Sequence, residues 1–314
     1  MCRSFVSQYF DEHGIEKFTG RFNLGVTSIN AAFAAISSSN KEEFFEQLDE
    51  LCDLAFEANM FRINKFKHTK AKTNPILWVD GALARLDPDD SIEPLIYGGR
   101  ATSSIGYVGI AEAQEILGDT SKSFGQEILQ YIKNKTNSYT KETNIAFSPY
   151  GSPAESTAYR FMTCIQQAFP EYQYKRPYLT NSFHLPVWED VNIFEKLDYE
   201  SDFYLLTNGG NVNNCETSNL LHNPKGFLVI LRYAYDKVNY LIVNQPVDQC
   251  YECGYKGEFV ARATGYHCPQ CNNHNPLTIS VIRRVSGYIF SPQDRPANVG
   301  KQAEIMERHK QYTL

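Results

Sequence analysis

Apolar positions along this chain recur with two different periods, and the changes of period mark its elements. From residue 41 the spacing is helical: Phe44, Leu48, Leu51, Ala55 and Ala58 fall on one face, Asn40 stands at the N-cap position, and Glu43 completes a capping box. The same logic predicts helices near 111–117, 122–134, from about 156 to Phe169, and from Pro224 to about Asp236, the last opened by Asn223-Pro224. Short apolar runs bounded by turn residues predict buried strands. These are Ile76-Leu77-Trp78-Val79 between Pro75 and Gly81, Asn144-Ile145-Ala146-Phe147, and Tyr240-Leu241-Ile242-Val243; the run Ile105 to Ile110 is apolar and leads into the helix near 111–117. Residues 1–30 are loop-like and strand-like. Strands alternating with helices imply a mainly parallel α/β sheet, with functional loops gathered at strand ends.

Composition narrows the class without fixing the function. The 314 residues suffice for one large α/β domain or two smaller ones, and 42% hydrophobic with 21% charged residues is ordinary globular composition. A net charge of −6 argues against a nucleic-acid binder. No apolar run approaches the roughly 20 residues that span a bilayer, and the N-terminus has no signal-peptide pattern. Eight cysteines without such a signal suit a reducing cytoplasm, where thiols serve metals or chemistry. Cys52 and Cys164, within helical patterns, read as small buried hydrophobes.

Four of the eight form a metal motif. Cys250, Cys253, Cys268 and Cys271 are spaced C-x2-C-x14-C-x2-C, which lets two tight knuckles aim four thiolates at one tetrahedral zinc. Gly254 and Pro269 supply turn residues, and the stretch around Gly257-Glu258-Phe259-Val260 leaves room for a small β-hairpin between the knuckles. An iron–sulfur cluster is the rival occupant, disfavoured by the ribbon-like spacing. With four protein ligands the site is closed, hence structural. His267 and His274 are surplus and read as surface residues.

Just downstream stands Gly287, in Arg283-Arg284-Val285-Ser286-Gly287-Tyr288, where no turn chemistry obviously demands a glycine. This stretch, with Arg295-Pro296, Gly300-Lys301 and Glu304-Ile305 after it, resembles the glycyl-radical segment of the anaerobic (class III) ribonucleotide reductases. Cys2-Arg3-Ser4-Phe5 and Gly20-Arg21-Phe22-Asn23-Leu24-Gly25-Val26 resemble that family's loop bearing the thiyl-radical cysteine. Tyr150-Gly151-Ser152-Pro153-Ala154-Glu155 is similar to its substrate-phosphate loop, and Ser182-Phe183-His184-Leu185-Pro186-Val187 and Thr207-Asn208-Gly209-Gly210 follow in family order. The resemblance covers essentially the whole chain but only the second half of a full-length reductase.

The resemblance implies a fold, a chemistry and partners. The fold would be the C-terminal half of a ten-stranded glycyl-radical-enzyme α/β barrel over residues 1–247, a zinc ribbon over 248–275, and a glycyl radical loop and tail over 276–314. The expected function is the catalytic subunit of a split anaerobic ribonucleoside-triphosphate reductase, with Gly287 storing the radical, Cys2 as the thiyl residue and Asn23 serving formate as reductant. Taken alone, Asn23 reads equally as a loop-turn residue. Gly151, Ser152 and Glu155 would bind substrate phosphates at a helix N-terminus, although Ser152 and Glu155 would serve equally as helix caps. The expected partners are a separately encoded N-terminal half, a radical-SAM activating enzyme and a second reductase unit, in the cytoplasm (that of a bacterial host, if phage-encoded). Ile289-Phe290 departs from the smaller Leu-Gly-like pair expected there. The alternative is a spare-part or non-catalytic zinc-ribbon subunit supporting a full-length glycyl radical enzyme.

Overall fold

The structure, a computed structural model, describes residues 4–11, 13–220, 223–262, 264–285, 288–291 and 297–311. It divides into two compact units, Met1–Ser152 with Phe203–Asn211, and Pro153–Asp202 with Val212–Leu314.

The first unit is built on three parallel strands in the order β1-β2-β3: β1 (Phe22–Asn30), β2 (Ala101–Val108) and β3 (Ala146–Gly151). The central strand β2 is buried along its whole length, as a parallel strand covered on both faces must be. Two short helices, α1 (Ala31–Ile36) and α3 (Pro75–Trp78), flank the long α2 (Lys41–Phe66) in sequence, and α4 (Ile110–Ile116) and α5 (Lys122–Thr143) follow β2. Helix α2 starts as the capping pattern predicts. Asn40 accepts from the Glu43 N–H, but the Glu43 carboxylate reaches one residue further back, to the Ser39 N–H. Its buried stripe runs Phe44, Leu48, Cys52, Ala55, Asn59, Ile63, so Ala58 faces solvent and Asn59 replaces it. Asn59 belongs inside because it has partners there: it accepts from the Thr27 hydroxyl at 3.0 Å and donates to the Ser104 carbonyl at 3.1 Å.

Two expectations change here. Residues 76–79 are not a strand. Pro75 fixes the first position of α3, the Val79 N–H donates to the Pro75 carbonyl at 2.8 Å, and the buried Trp78 meets Phe22 edge-on at 4.9 Å. A four-residue apolar run cannot by itself distinguish a strand from one buried helical turn. Helix α5 continues past residue 134 to Thr143. The polar stretch that hides this extension contains Thr136, Thr140 and Thr143, whose hydroxyls bond back to the carbonyls of Lys133, Thr136 and Tyr139. Tyr139 stacks on Phe56 of α2 at 4.2 Å.

The second unit contains α6 (Ser156–Ala168), α7 (Ile193–Ser201), β4 (Asn213–Glu216), α8 (Pro224–Tyr235) and β5 (Leu241–Asn244), with β4 and β5 parallel. Helix α7 has a full Asn192–Glu195 capping box, and α8 is capped by Asn223, which accepts from the Gly226 N–H. Ile193, Leu197, Cys215, Leu220, Ile230 and Ala234 form its core. Cys52 and Cys215 are buried, but Cys164 is exposed, one position off the Ala158–Met162–Ile165 stripe of α6. Then come the strands of a ribbon, β6 (Asp248–Cys250), β7 (Lys256–Gly257), β8 (Val260–Arg262), β9 (Gly265–His267) and β10 (Ile279–Ser280), the hairpin strands β11 (Arg283–Val285) and β12 (Tyr288–Phe290), and the helix α9 (Val299–Glu307).

Glu200 lies fully buried in α7, held by Lys196, by the Asn213 amide at 2.5 Å and by His184 Nδ1 at 3.0 Å. Burial alone would raise its pKa, but the charges of Lys196 and His184 outweigh it and hold the carboxyl near 2. A carboxyl depressed in the folded state adds stability that is present above its ordinary value and lost as pH falls through the folded one. Glu200→Ala, which leaves Lys196 buried without its counter-charge, should cost about 3–5 kcal/mol in urea unfolding at pH 7. Glu200→Gln should flatten the wild-type loss of stability between pH 4.5 and about 2.

Candidate active site and metal centre

In the first unit, three stretches distant in sequence meet through their backbones. The Gly209 N–H donates to the Pro149 carbonyl at 2.8 Å and the Gly151 N–H to the Gly210 carbonyl at 2.9 Å, so residues 209–210 run as an added edge beside β3. From the other side the Phe5 N–H donates to the Gly209 carbonyl at 2.9 Å. Position 209 has to be glycine, because a Cβ there would lie 2.5 Å from the Pro149 oxygen and 2.5 Å from Ser148 Oγ. Arg21 pins the segment that leads away from Phe5, donating to the carbonyls of Ser7 (2.6 Å), Lys17 (3.1 Å) and Gly99 (2.5 Å).

One face of the sheet is lined with small hydroxyls. Alternation along β2 puts Thr102, Ser104 and Gly106 on a common face, and register places Ser104 beside Ser148 of β3, with the oxygens 3.2 Å apart. Ser28 Oγ of β1 meets Ser152 Oγ at 2.9 Å above Gly106, where a Cβ would approach these oxygens to 2.5 and 2.3 Å. Asn23 is in β1, not in a turn, at the irregularity in register between Asn23 and Gly25, and its amide oxygen accepts from the Thr102 hydroxyl. Sequence reasoning missed Ser28, Thr102, Ser104, Gly106 and Ser148. The available signal was Thr102-Ser103-Ser104, a polar run in the central strand of a parallel sheet, where apolar residues are the rule. Cys2, the expected thiyl residue, lies outside the described residues.

In the second unit, α6 begins after Glu155 with no side-chain hydrogen bond at its N-cap and no acidic residue in its first turn. The Glu155 side chain therefore does not cap the helix it precedes. Helix α9 packs closely on α6: a Cβ at Gly300 would stand 2.8 Å from the Pro177 oxygen and 2.8 Å from Tyr159 Cβ. The Lys301 ammonium pairs with Glu304 and donates to the Ala154 carbonyl at 3.3 Å. A cavity lined by His184, Lys196, Glu216 and Arg308 holds only about 60 Å³, well short of nucleotide size.

The ribbon brings the four predicted cysteines together. β6 pairs antiparallel with both β7 and β10, β8 pairs with β9 between the knuckles, and Gly254 takes the positive φ (+76°) of the first knuckle. The four sulfurs lie within 4.8 Å of one another, with Cys250–Cys271 at 3.7 Å and Cys253–Cys268 at 3.6 Å. Bonds of about 2.3 Å to one tetrahedral ion set sulfurs about 3.8 Å apart, so the site fits a single cation. Burial acts against ionisation of Cys250, yet the Cys253 N–H, the Asn273 amide and the Glu252 N–H bring its thiol down to about 6. Cys271 is pushed up to about 12: the Asn273 N–H favours its thiolate, but loss of solvent and the neighbouring sulfurs oppose it more strongly. Sulfurs this close cannot all ionise without a cation among them. His267 is buried rather than a surface residue, bonded to Thr264 at 2.8 Å and stacked on the exposed His274 at 4.6 Å.

Directly after the ribbon, β11 and β12 form an antiparallel ladder in which Val285 pairs with Tyr288. Gly287 itself, the expected radical site, lies outside the described residues.

A family model described as anaerobic ribonucleoside-triphosphate reductase matches residues 1–311. The chain belongs to this family. It is 40% identical over 320 residues to the anaerobic ribonucleoside-triphosphate reductase of Haemophilus influenzae, across 98% of this chain and 45% of that one. It is 37% identical over 317 residues to the Enterobacteria phage T4 protein of the same name, across 98% and 52%. The chain thus spans about half the length of the curated relatives it matches. A solved anaerobic ribonucleotide reductase superposes with a TM-score of 0.69 at 17% identity, over 98% of this chain and 48% of that one. The Thermotoga maritima enzyme with glycerol in the active site gives 0.61 at 18%, over 90% and 44%. At such identities the likeness concerns the fold, and the α/β fold with a small cysteine ribbon expected for this chain is the fold observed.

Zinc titration of this chain under reducing conditions should saturate at a single equivalent, following the four-sulfur cluster found among the described residues. Cys271→Ser should abolish tight binding, and chelation should leave the far-UV helix signal largely intact, because the helices lie outside the ribbon. Metal uptake unchanged by the substitution would refute the assignment.

Proposed function

We propose that this chain is the catalytic C-terminal part of an anaerobic ribonucleoside-triphosphate reductase and converts ribonucleotides to deoxyribonucleotides by glycyl and thiyl radical chemistry. A radical-SAM activating enzyme removes a hydrogen atom from Gly287, whose α-carbon radical is stabilised by the adjoining amide nitrogen and carbonyl. The glycyl radical takes the thiol hydrogen of Cys2. The thiyl abstracts the 3′-hydrogen of the bound nucleotide and the 2′-hydroxyl leaves as water. Formate, oxidised to carbon dioxide, supplies two electrons and one proton, which with one further proton put hydrogen at C2′ in place of the hydroxyl lost as water, after which the 3′-hydrogen returns from Cys2. Asn23 holds the formate, and Gly151, Ser152 and Glu155 serve the substrate phosphates. Cys250, Cys253, Cys268 and Cys271 hold zinc, which with four protein ligands acts as a structural staple.

Beyond family membership, one observation carries the proposal. The stretch after Cys2, the loop at Gly151 and the Gly209-Gly210 turn are tied backbone to backbone beside a face of small hydroxyls. Hydroxyls and an amide on buried strands suit a ribose better than an apolar ligand, and a scaffold subunit would need none of them.

In this reading the chain works together with the N-terminal half that completes a reductase unit, and two such units associate as a dimer. The net charge of −6 opposes a nucleic-acid partner, no described helix is long and apolar enough to cross a membrane, and the working compartment is the cytoplasm. Co-expressed with that half and activated anaerobically, the wild type should show a glycyl EPR doublet and reduce ribonucleoside triphosphates. Gly287→Ala should remove both while leaving the assembly intact, and Asn23→Ala should keep the doublet but lose formate-dependent turnover. Reduction that survives Gly287→Ala would sink the proposal.

A further inference from the structure

The Arg284 carbonyl, three residues before Gly287, accepts from two side chains at once: Arg308 Nη1 at 3.0 Å and Asn244 Nδ2 at 3.3 Å. One carboxylate holds both donors in place. Glu216 accepts from Arg308 Nη1 at 3.1 Å through Oε1 and from Asn244 Nδ2 at 2.6 Å through Oε2. Arg308 Nη2 also donates to Glu304 at 2.8 Å. Three elements therefore converge on one backbone oxygen: β4 through Glu216, β5 through Asn244, and the end of α9 through Arg308.

Among the described residues β11 and β12 pair only with each other, and an isolated two-stranded ribbon is marginal in water. Ile282 and Ile289 are exposed, and a second backbone tie, from the Ile282 N–H to Asp248 Oδ1, is long at 3.4 Å. Burying two carboxylates and a guanidinium is unfavourable compared with packing apolar side chains in the same space, so core stability alone does not explain the cluster. What it provides is direction: a planar guanidinium and an amide, each fixed by the same carboxylate, aim at one carbonyl.

We propose that Glu216, Asn244 and Arg308 form a latch that sets the docked position of the β11–β12 hairpin, with Asn244 and Arg308 as its positioning residues. The proposal rests on Gly287 being the radical site, since a glycine presented alternately to an activating enzyme and to a thiol needs a hairpin held at its foot by few, separable bonds. Releasing the Arg284 carbonyl frees the hairpin without unfolding β4, β5 or α9, whose own bonds persist.

Amide hydrogen exchange on the full chain tests this without any catalytic readout. Asn244→Ala removes one of the two donors, and exchange within 282–291 should rise about three- to tenfold. Exchange across α6, α7 and β4 should stay unchanged. Arg308→Lys, which cannot span Glu216, Glu304 and the carbonyl together, should act in the same direction and more strongly. Unchanged exchange in 282–291, or an equal rise throughout the chain, overturns the latch. In the activated enzyme the Asn244→Ala hairpin should acquire its radical faster while turning over more slowly per radical. A wild type that never forms a radical would defeat the proposed function and leave the exchange result to decide the latch.

Discussion

The absence of a side chain at Gly209 is the constraint on which the first unit turns. With no Cβ, the backbone at 209–210 comes within hydrogen-bonding distance of β3 on one side and of Phe5 on the other. Those bonds let residues near the head of the chain sit beside the end of a strand formed some 145 positions later. Loop closure over such a span loses much conformational entropy, which scattered side-chain contacts would offset poorly. Backbone bonds flanked by buried β-structure are cooperative and directional, and they leave the side-chain face of the sheet free for polar groups.

That freedom explains the chemistry of the hydroxyl-lined face. A parallel strand covered on both sides is ordinarily apolar, yet Thr102, Ser104 and Ser148 are buried with their oxygens directed at neighbouring polar atoms. Gly106 removes bulk just where Ser28 and Ser152 approach each other. Small residues with exchangeable hydrogen bonds fit a site where a polar ligand replaces one partner by another. The helix-covered face, carrying Ile29, Ile105, Tyr107 and Phe147, supplies the apolar burial that makes such a polar face tolerable.

Legibility in the sequence followed the range of the forces involved. Helices α2, α6 and α8 and the strands β3 and β5 were readable because caps and periodicity act over a few residues. The ribbon was readable because four sulfurs on one ion dictate spacing. Residues 76–79 were misread because four apolar residues carry no period, and Pro75 with the Phe22–Trp78 contact decides the matter. The tail of α5 and the inward turn of Asn59 were hidden because threonine hydroxyls and an amide become core residues only once their partners are in place. The hydroxyl face was hidden for a related reason: serine in a strand is unremarkable until register shows which other serine it faces. The meeting of Phe5, Gly151 and Gly209 is a long-range consequence that no local pattern encodes, although the resemblance had already marked all three stretches.

On the proposed function the second unit solves a different problem, holding a hairpin that must be neither loose nor rigid. The ribbon anchors its start covalently, a single residue beyond β10 and Val281. A four-thiolate metal site is stiff and survives thermal motion, so it defines where the hairpin emerges but not how it leans. The lean is left to hydrogen bonds at the Arg284 carbonyl, each worth about 1 kcal/mol and each separable within the ordinary range of thermal fluctuation. Had hydrophobic packing held the hairpin instead, leaving its seat would expose apolar surface, at about 25 cal/mol for every Å² uncovered. Ile289 on β12 is already largely exposed, so its own share of that term is small. In the proposed reading a base stiffened by metal and a polar, reversible foot together permit motion about one point. That is the mechanical condition for a backbone carbon to serve two reaction partners in turn.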